Sequence, residues 1–405
     1  MEFLIFYLLL TLFFYKKILR NNNFLVIIFL LFPINLFAVV NSMPSDFISL
    51  SFIYLVLIFI FKNSHDLYAL CALIYSWFCF ILSTLLSPDP YTQIFNNLLP
   101  FMIIFTGCYL SYVSIKKENI NILSTEEIIY KLIFSTILVS ICIYVKDFIF
   151  NDITYSSVAD RFSFRLVGPF VDATIFCAYA LILIASNRLI YILTALCGMV
   201  LAGGDGAIIV GLVYLILNNV FKVRYFFFFI GIIIFLSSIF ILLSTIDLEI
   251  LPSGVRNTIS NFIGIYNSND VGSVVGKRNI QMEVFIESLS NVFIFFPGVG
   301  FSSFNENYFY LTGNYQSLHN SLLQIILNFG ILNFCILGLM IIASYFRSLI
   351  ENSFTMWHKI IFILLAYGLA HNLLKFLPLM LGLGVIFANY FLVLRNNKKI
   401  GQQAI

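Results

Sequence analysis

Residues 319–345 read HNSLLQIILNFGILNFCILGLMIIASY, a run without a single lysine, arginine, aspartate or glutamate. About 20 apolar residues, each rising about 1.5 Å along a helix, are enough to cross the hydrocarbon core of a bilayer. This run is longer than that, so it reads as a membrane-spanning helix with polar residues gathered at its start. Similar apolar runs occur at 2–15, 24–40, 47–61, 67–86, 96–115, 128–149, 167–186, 189–202, 206–221, 225–246, 359–373 and 376–394. Some are short and need tilt or local thinning of the bilayer to span it. The expected fold is therefore all-α: a polytopic membrane helix bundle of about 12–13 transmembrane helices.

Composition points the same way. The 405 residues are 61% hydrophobic and 10% charged, with a mean hydropathy of +1.00. A soluble domain carries about 25% charged residues, so this chain cannot clothe a water-facing surface. Forty-seven Phe and 22 Tyr suit lipid-facing and interfacial positions. A net charge of +3 is too small to imply a nucleic-acid partner. Cys71, Cys79, Cys108, Cys142, Cys177, Cys197 and Cys335 all fall inside apolar runs and show no CxxC spacing. They read as small buried hydrophobes rather than disulfides or metal ligands. The N-terminal MEFLIFYLLLTLFFYKK has no basic leader and no small-residue cleavage site, so it is expected to be a first membrane segment. No internal repeat or linker divides the chain, and 1–405 reads as one integral membrane domain.

Charge placement sets the orientation. With Lys16, Lys17 and Arg20 in the cytoplasm, alternation from span to span puts 15 of the 22 basic residues on that same side, all in short segments. That is the bias of positive-inside loops. It implies an outside N-terminus and an inside C-terminus. The opposite side receives two long loops, one near 150–166 and a larger one over 247–318. Loops carry function more often than the scaffold does, so chemistry is expected on the outer face.

Three clusters could carry it. The first is DRFSFRLVGPFVDATIF, 160–176, where Arg165 enters a span and Asp172 follows seven residues later, two turns on if helical. Ionisable groups within a span usually face the bundle interior or a water-filled cavity. A snorkelling arginine and an aspartate paired to it for assembly is the plainer alternative. The second is VVGKRNIQMEVFIESLSNVFIFFPGVGFSSF, 274–304. It holds Lys277 and Arg278, an amphipathic stretch, and the glycines Gly298 and Gly300 as a flexible pair. An arginine in a first helical turn is disfavoured by the dipole unless an anion binds there, which both would favour. The third is QSLHNSLLQIILNFGIL, 316–332, with His319 and Asn320 at the membrane re-entry. A lone histidine at an interface is more often structural. His371, His65 and His358 rank below His319. Phosphate-cradling GxxxxGK loops, HExxH and GxSxG are absent, which argues against an ATP-driven machine, a zinc protease and a serine hydrolase.

Taken together these clusters resemble the bacterial family of O-antigen polymerases and O-antigen ligases. The residues that carry the resemblance are Arg165, Gly168 and Phe170 (Arg-x-x-Gly-x-Phe) and a loop arginine, Arg278, about 40 residues before the His319–Asn320 pair. To these is added the run from PGVGFSSF to HNSLLQIILNFGIL, similar to a Gly-x-Gly … His-Asn-x-x-Leu-Gln … Gly-Ile pattern. The match covers roughly Arg165 to Leu332; the N-terminal third agrees only in being a series of spans.

The resemblance implies a C-type glycosyltransferase-like bundle in the bacterial inner membrane, with one large periplasmic loop and its active site facing the periplasm. It implies a donor glycan on undecaprenyl pyrophosphate, no cofactor, no metal, and a chain-length regulator protein as a partner besides the lipid bilayer. By position, Arg278 and Arg165 would hold pyrophosphate oxygens and His319 would be the general base on the acceptor hydroxyl. A guanidinium fork matches phosphate and keeps its proton, and an imidazole with a pKa of about 6.5 accepts one at neutral pH. Asp172, Asp205, Arg256, Lys277, Gly300 and Asn320 are weaker substrate-binding candidates. One departure stands out. Many members carry a Ser-Arg-Gly step after the span at 189–202, whereas this chain reads AGGDGAII with Asp205 in the arginine's place. Arg165 or Arg256 would have to substitute, and Asp205 would bind a sugar hydroxyl or merely cap the next helix. Expected activities are repeat-unit polymerisation first, ligation of glycan to the lipid A core second, and lipid-linked oligosaccharide flipping third.

Overall fold

The computed structural model describes residues 67–87, 107–109, 111–113, 122–150, 166–167, 173–219, 281–300, 303–312, 318–371, 373, 376, 379–380 and 382–391. Among these, helix is the only regular structure. The elements are α1 (Leu67–Leu85), α2 (Ile122–Phe150), α3 (Ala173–Ile184), α4 (Leu189–Ala202) and α5 (Asp205–Asn219). They continue with α6 (281–288), a 3-10 turn at Val292–Ile294, α7 (Ser303–Thr312), α8 (Ser321–Ile350), α9 (Met356–Gly368) and α10 (Gly382–Phe391). These match the apolar runs from 67–86 to 376–394, apart from 96–115 and 225–246. The runs at 2–15, 24–40, 47–61 and 225–246, and most of 96–115, lie outside the described residues.

Among the described residues, three helices are long and apolar enough to cross a membrane: α1, the Ile129–Lys146 part of α2, and α8. Their outward surfaces agree with that role. On α8 alone Leu339, Ile342, Phe346, Leu349 and Ile350 are exposed. A contiguous apolar surface of this kind is foreign to a monomer in water and natural against lipid. The cysteines divide along the same line: Cys79 and Cys177 are buried, while Cys71, Cys142, Cys197 and Cys335 sit on outer helix faces. The expectation that all would be buried fails for those four, because an apolar residue in this chain can satisfy itself on the outside.

The centre of the bundle is α3, which is buried without interruption from Phe176 to Ile184 and packs on α2, α4, α5 and α9. A helix apolar on every side has to be surrounded, and this one is. Small residues let its neighbours close in. A β-carbon on Gly198 would stand 3.0 Å from the Phe176 ring, and one on Gly211 would stand 2.6 Å from Ile184. The chain turns from α4 into α5 over Gly203, whose φ of 67° suits glycine, and its amide closes back on the Val200 carbonyl at 3.1 Å.

The longest helix is not continuous. At Gly330 the backbone of α8 leaves helical geometry (φ 82°, ψ 162°), giving a first half over 321–329 and a second over 331–350. The second half is still about 20 residues, enough to cross a bilayer by itself. A break frees backbone groups that apolar surroundings cannot solvate, so neighbouring protein must take them up. The segment just after α6 does so. The Leu327 carbonyl accepts from the amides of Val299 (2.8 Å) and Gly300 (3.3 Å), and the Phe295 carbonyl accepts from Leu332 (3.2 Å). The Asn333 side chain donates to the Phe329 carbonyl at 2.8 Å and accepts from Tyr75 of α1 at 2.9 Å.

Much of the stretch expected as a loop over 247–318 is therefore built structure where it is described. Val284, Phe285, Ile294, Val299, Phe304, Tyr308 and Leu318 form a second apolar cluster around Leu327 of the first half-helix, with Leu323, Ile326 and Ile331 alongside. The main core takes Ile325 and Phe329 of the same half-helix. Thus the half-helix over 321–329 is wedged between the bundle and a helical cap.

Candidate functional site

The hydrogen-bonded side chains of this wedge gather at its N-terminus. Asn320 is the N-cap of α8: its Oδ1 accepts from Leu322 (3.0 Å) and Leu323 (3.1 Å), two of the amides that a helix start leaves without intrahelical partners. His319, directly before it, has an exposed side chain, and its backbone amide donates to Oε1 of buried Gln281 at 3.4 Å. Gln281 is the first described residue of α6 and stands three positions after Arg278 in the sequence. The second and third sequence clusters thus meet at this bond.

Ser321 ties the same helix start to the end of α9. Its hydroxyl donates to the His371 carbonyl (2.7 Å) and accepts from the Leu373 amide (2.6 Å). A β-carbon on Gly368 would stand 3.2 Å from that hydroxyl. The His371 ring packs on Tyr367 with centroids 4.4 Å apart, and a β-carbon on Gly206 would come within 3.1 Å of its Nε2. Gly206 follows Asp205 in the first turn of α5, where a carboxylate complements the positive end of the helix dipole. The amide of Leu166 donates to the Leu201 carbonyl at 3.1 Å, near the end of α4. The starts of α5 and α8 therefore converge on the end of α9, and the chain following Arg165 runs to the α4–α5 turn.

The site candidates divide as follows. His319, Asn320, Asp205 and Gly300 are described; Arg165, Asp172, Arg256, Lys277 and Arg278 lie outside the described residues. His319 and Asn320 stand together at the start of α8. Asp205 stands at the start of α5, joined to the α8 start through Gly206, His371 and Ser321. Gly300 belongs to the helix break instead. It adopts φ +89°, and a β-carbon there would lie 2.3 Å from the Ser83 carbonyl of α1. Gly298, at φ +111°, would place one 2.5 Å from the Leu327 carbonyl. The pair expected to be flexible is a seat for two other backbones.

Sequence reading ranked His371 low, yet it joins the two helix starts. The available signal was its own Asn-flanked context, LAHNLLK, which repeats the His-Asn-x-Leu spelling at 319–322. Ser321 and Gln281 offered none, since a serine and a glutamine at such places are common. Among the described residues no three His, Cys, Asp or Glu side chains gather as a metal site would require.

No family model matches the chain, and neither curated proteins nor solved structures give a match.

Proposed function

We propose that this protein is a membrane-embedded glycosyltransferase of the O-antigen polymerase kind, joining undecaprenyl-pyrophosphate-linked repeat units at the periplasmic side of the bacterial inner membrane. The observation that carries the reading is the Gln281–His319 hydrogen bond, because it draws the chain just after Arg278 to the histidine at the start of α8. In this reading His319 takes the proton from the acceptor hydroxyl as that oxygen attacks the anomeric carbon of the donor. The bond from that carbon to the pyrophosphate oxygen breaks, and the electrons leave with the carrier. Arg278 and Arg165 stabilise the departing charge, which is where electrostatic catalysis acts in such a transfer. The two residues that follow the base in sequence fix its position: Asn320 caps the helix start, and Ser321 anchors it to α9. A chain-length regulator would act on the same machinery as a partner protein.

Ligation of glycan to the lipid A core shares this chemistry and stays the second reading; a lipid-linked oligosaccharide flippase is the third, with the break at Gly330 in its favour, since transporters bind substrates at discontinuous helices. One experiment separates the activities. A deletion strain is complemented with His319→Ala, Arg278→Ala and Arg165→Ala, insertion is checked by immunoblot, and the surface glycan is run on a gel. The polymerase reading expects lipid A cores capped by a single repeat unit. Bare cores with long chains held on the carrier would make the protein a ligase. Normal ladders from all three variants would end the transferase reading and leave the flippase.

A further inference from the structure

Ser321, Gln324 and Asn328 recur at three- and four-residue spacing and so share one face of the half-helix over 321–329. That face is a seam. On one flank Leu327 belongs to the cap cluster, and on the other Ile325 belongs to the main core. Apolar contact is available on both sides, yet the chain places two carboxamides between them. Asn328 is only 1% exposed, and neither its Nδ2 nor its Oδ1 meets a hydrogen-bond partner among the described residues. The buried Oε1 of Gln324 is in the same position. Ser321, at the outer end of the row, is fully engaged with His371 and Leu373.

Burying a carboxamide without partners is unfavourable, and nearly all buried polar groups in folded proteins have one. Here one such group, Asn328, lies a turn from the buried, unpartnered Oε1 of half-buried Gln324, beside the helix break and below the His319 end. A carboxamide presents a donor and an acceptor side by side. Its complement is a group offering both in return, such as the neighbouring hydroxyls of a sugar ring or an acetamido substituent. A charged ligand does not fit: the half-helix over 321–329 carries no Asp, Glu, Lys or Arg, and its flanks are apolar.

We infer that the Gln324–Asn328 face is a binding subsite for a neutral sugar ring. It would hold the ring by paired hydrogen bonds to the two carboxamides while the apolar flanks cover its C–H faces. The ring's attachment to a lipid carrier rests on the polymerase reading; the sugar site itself does not.

The test uses full-length protein in detergent or nanodiscs, with glucose and N-acetylglucosamine as probes and inorganic pyrophosphate as the charged control. Leucine matches asparagine in its branching at Cγ and needs no partners, so Asn328→Leu is expected to raise the Tm of the ligand-free protein. Wild type is expected to gain Tm with at least one of the two sugars. Asn328→Leu should lose that gain, and Gln324→Leu should weaken apparent sugar affinity by roughly tenfold, the scale of one or two lost hydrogen bonds. The response to pyrophosphate should be the same in all three proteins. A lower Tm for Asn328→Leu would mean that the carboxamide is structural, and would overturn the proposal. So would a sugar response that survives the substitution, or a wild type that responds to neither sugar. Failure of the enzyme reading would look different. Ladders that survive His319→Ala would remove the transferase but leave an Asn328-dependent sugar response standing.

Discussion

Glycine means two different things along α8. At Gly330 the backbone sits at φ +82°, and a β-carbon would lie 2.6 Å from the Phe295 carbonyl. Gly330→Ala is therefore expected to destabilise the protein by roughly 1–3 kcal/mol from backbone strain alone, before the carbonyl has to move. At Gly338, eight residues on, no atom would lie within 4 Å of an added β-carbon and the helix is regular. Gly338→Ala should instead be neutral or stabilising by roughly 0.5–1 kcal/mol, the usual difference between glycine and alanine inside a helix. Thermal unfolding of the two variants in one detergent checks both signs at once. From sequence the two glycines are alike, each preceded and followed by apolar residues. What separates them is a carbonyl delivered from 35 positions earlier in the chain.

Between elements, the α8–α9 junction depends on one buried histidine. The Nδ1 of His358 accepts from the Thr355 amide at 3.1 Å, which leaves Nε2 as the nitrogen that carries the proton and donates to Ser348 at 2.8 Å. Phe354 stacks on the ring, Tyr345 meets it edge-on, and the Tyr345 hydroxyl donates to the His358 carbonyl. His358→Ala would strand Ser348 at a buried position, at an expected cost of roughly 1–3 kcal/mol. Reduced yield and a lower Tm with unchanged glycan ladders from surviving protein would fit this role; a loss of ladders at normal Tm would not. Sequence reading placed His358 low as a functional candidate, and its contacts give it a positional task. His371 earns more than its sequence rank for the same reason in reverse: its neighbours, not its type, connect it to the starts of α5 and α8.

For the molecule as a whole, the orientation drawn from basic residues is a prediction with a direct measurement. Reporter fusions after Arg224 and after Arg395 should be active in the cytoplasm, and fusions after Thr312 should be active outside. A cytoplasmic signal from the Thr312 fusion would invert the proposed site relative to its carrier-linked substrate. The described helices already supply an apolar exterior, a central helix α3 and a cap seated on a broken α8. What that cap encloses is a helix start with His319 outside and carboxamides within.

Sequence alone determined that this chain is helical and apolar enough to enter a bilayer, because hydrophobic run length is a local property. It also located the starts of α5 and α8 within a residue or two, since Asp205 and Asn320 are residues that helix starts favour. It could not reveal that α8 breaks, that 281–300 and 303–312 fold as a cap, or that His371 reaches Ser321. Those outcomes depend on which carbonyl meets which amide across long separations. A glycine permits a break, but only a backbone brought from elsewhere to satisfy the freed groups makes the break stable. The same holds for Asn328, which looks like one more polar residue in a long span. Its meaning comes from lying on the seam between two apolar clusters, and only packing creates that seam.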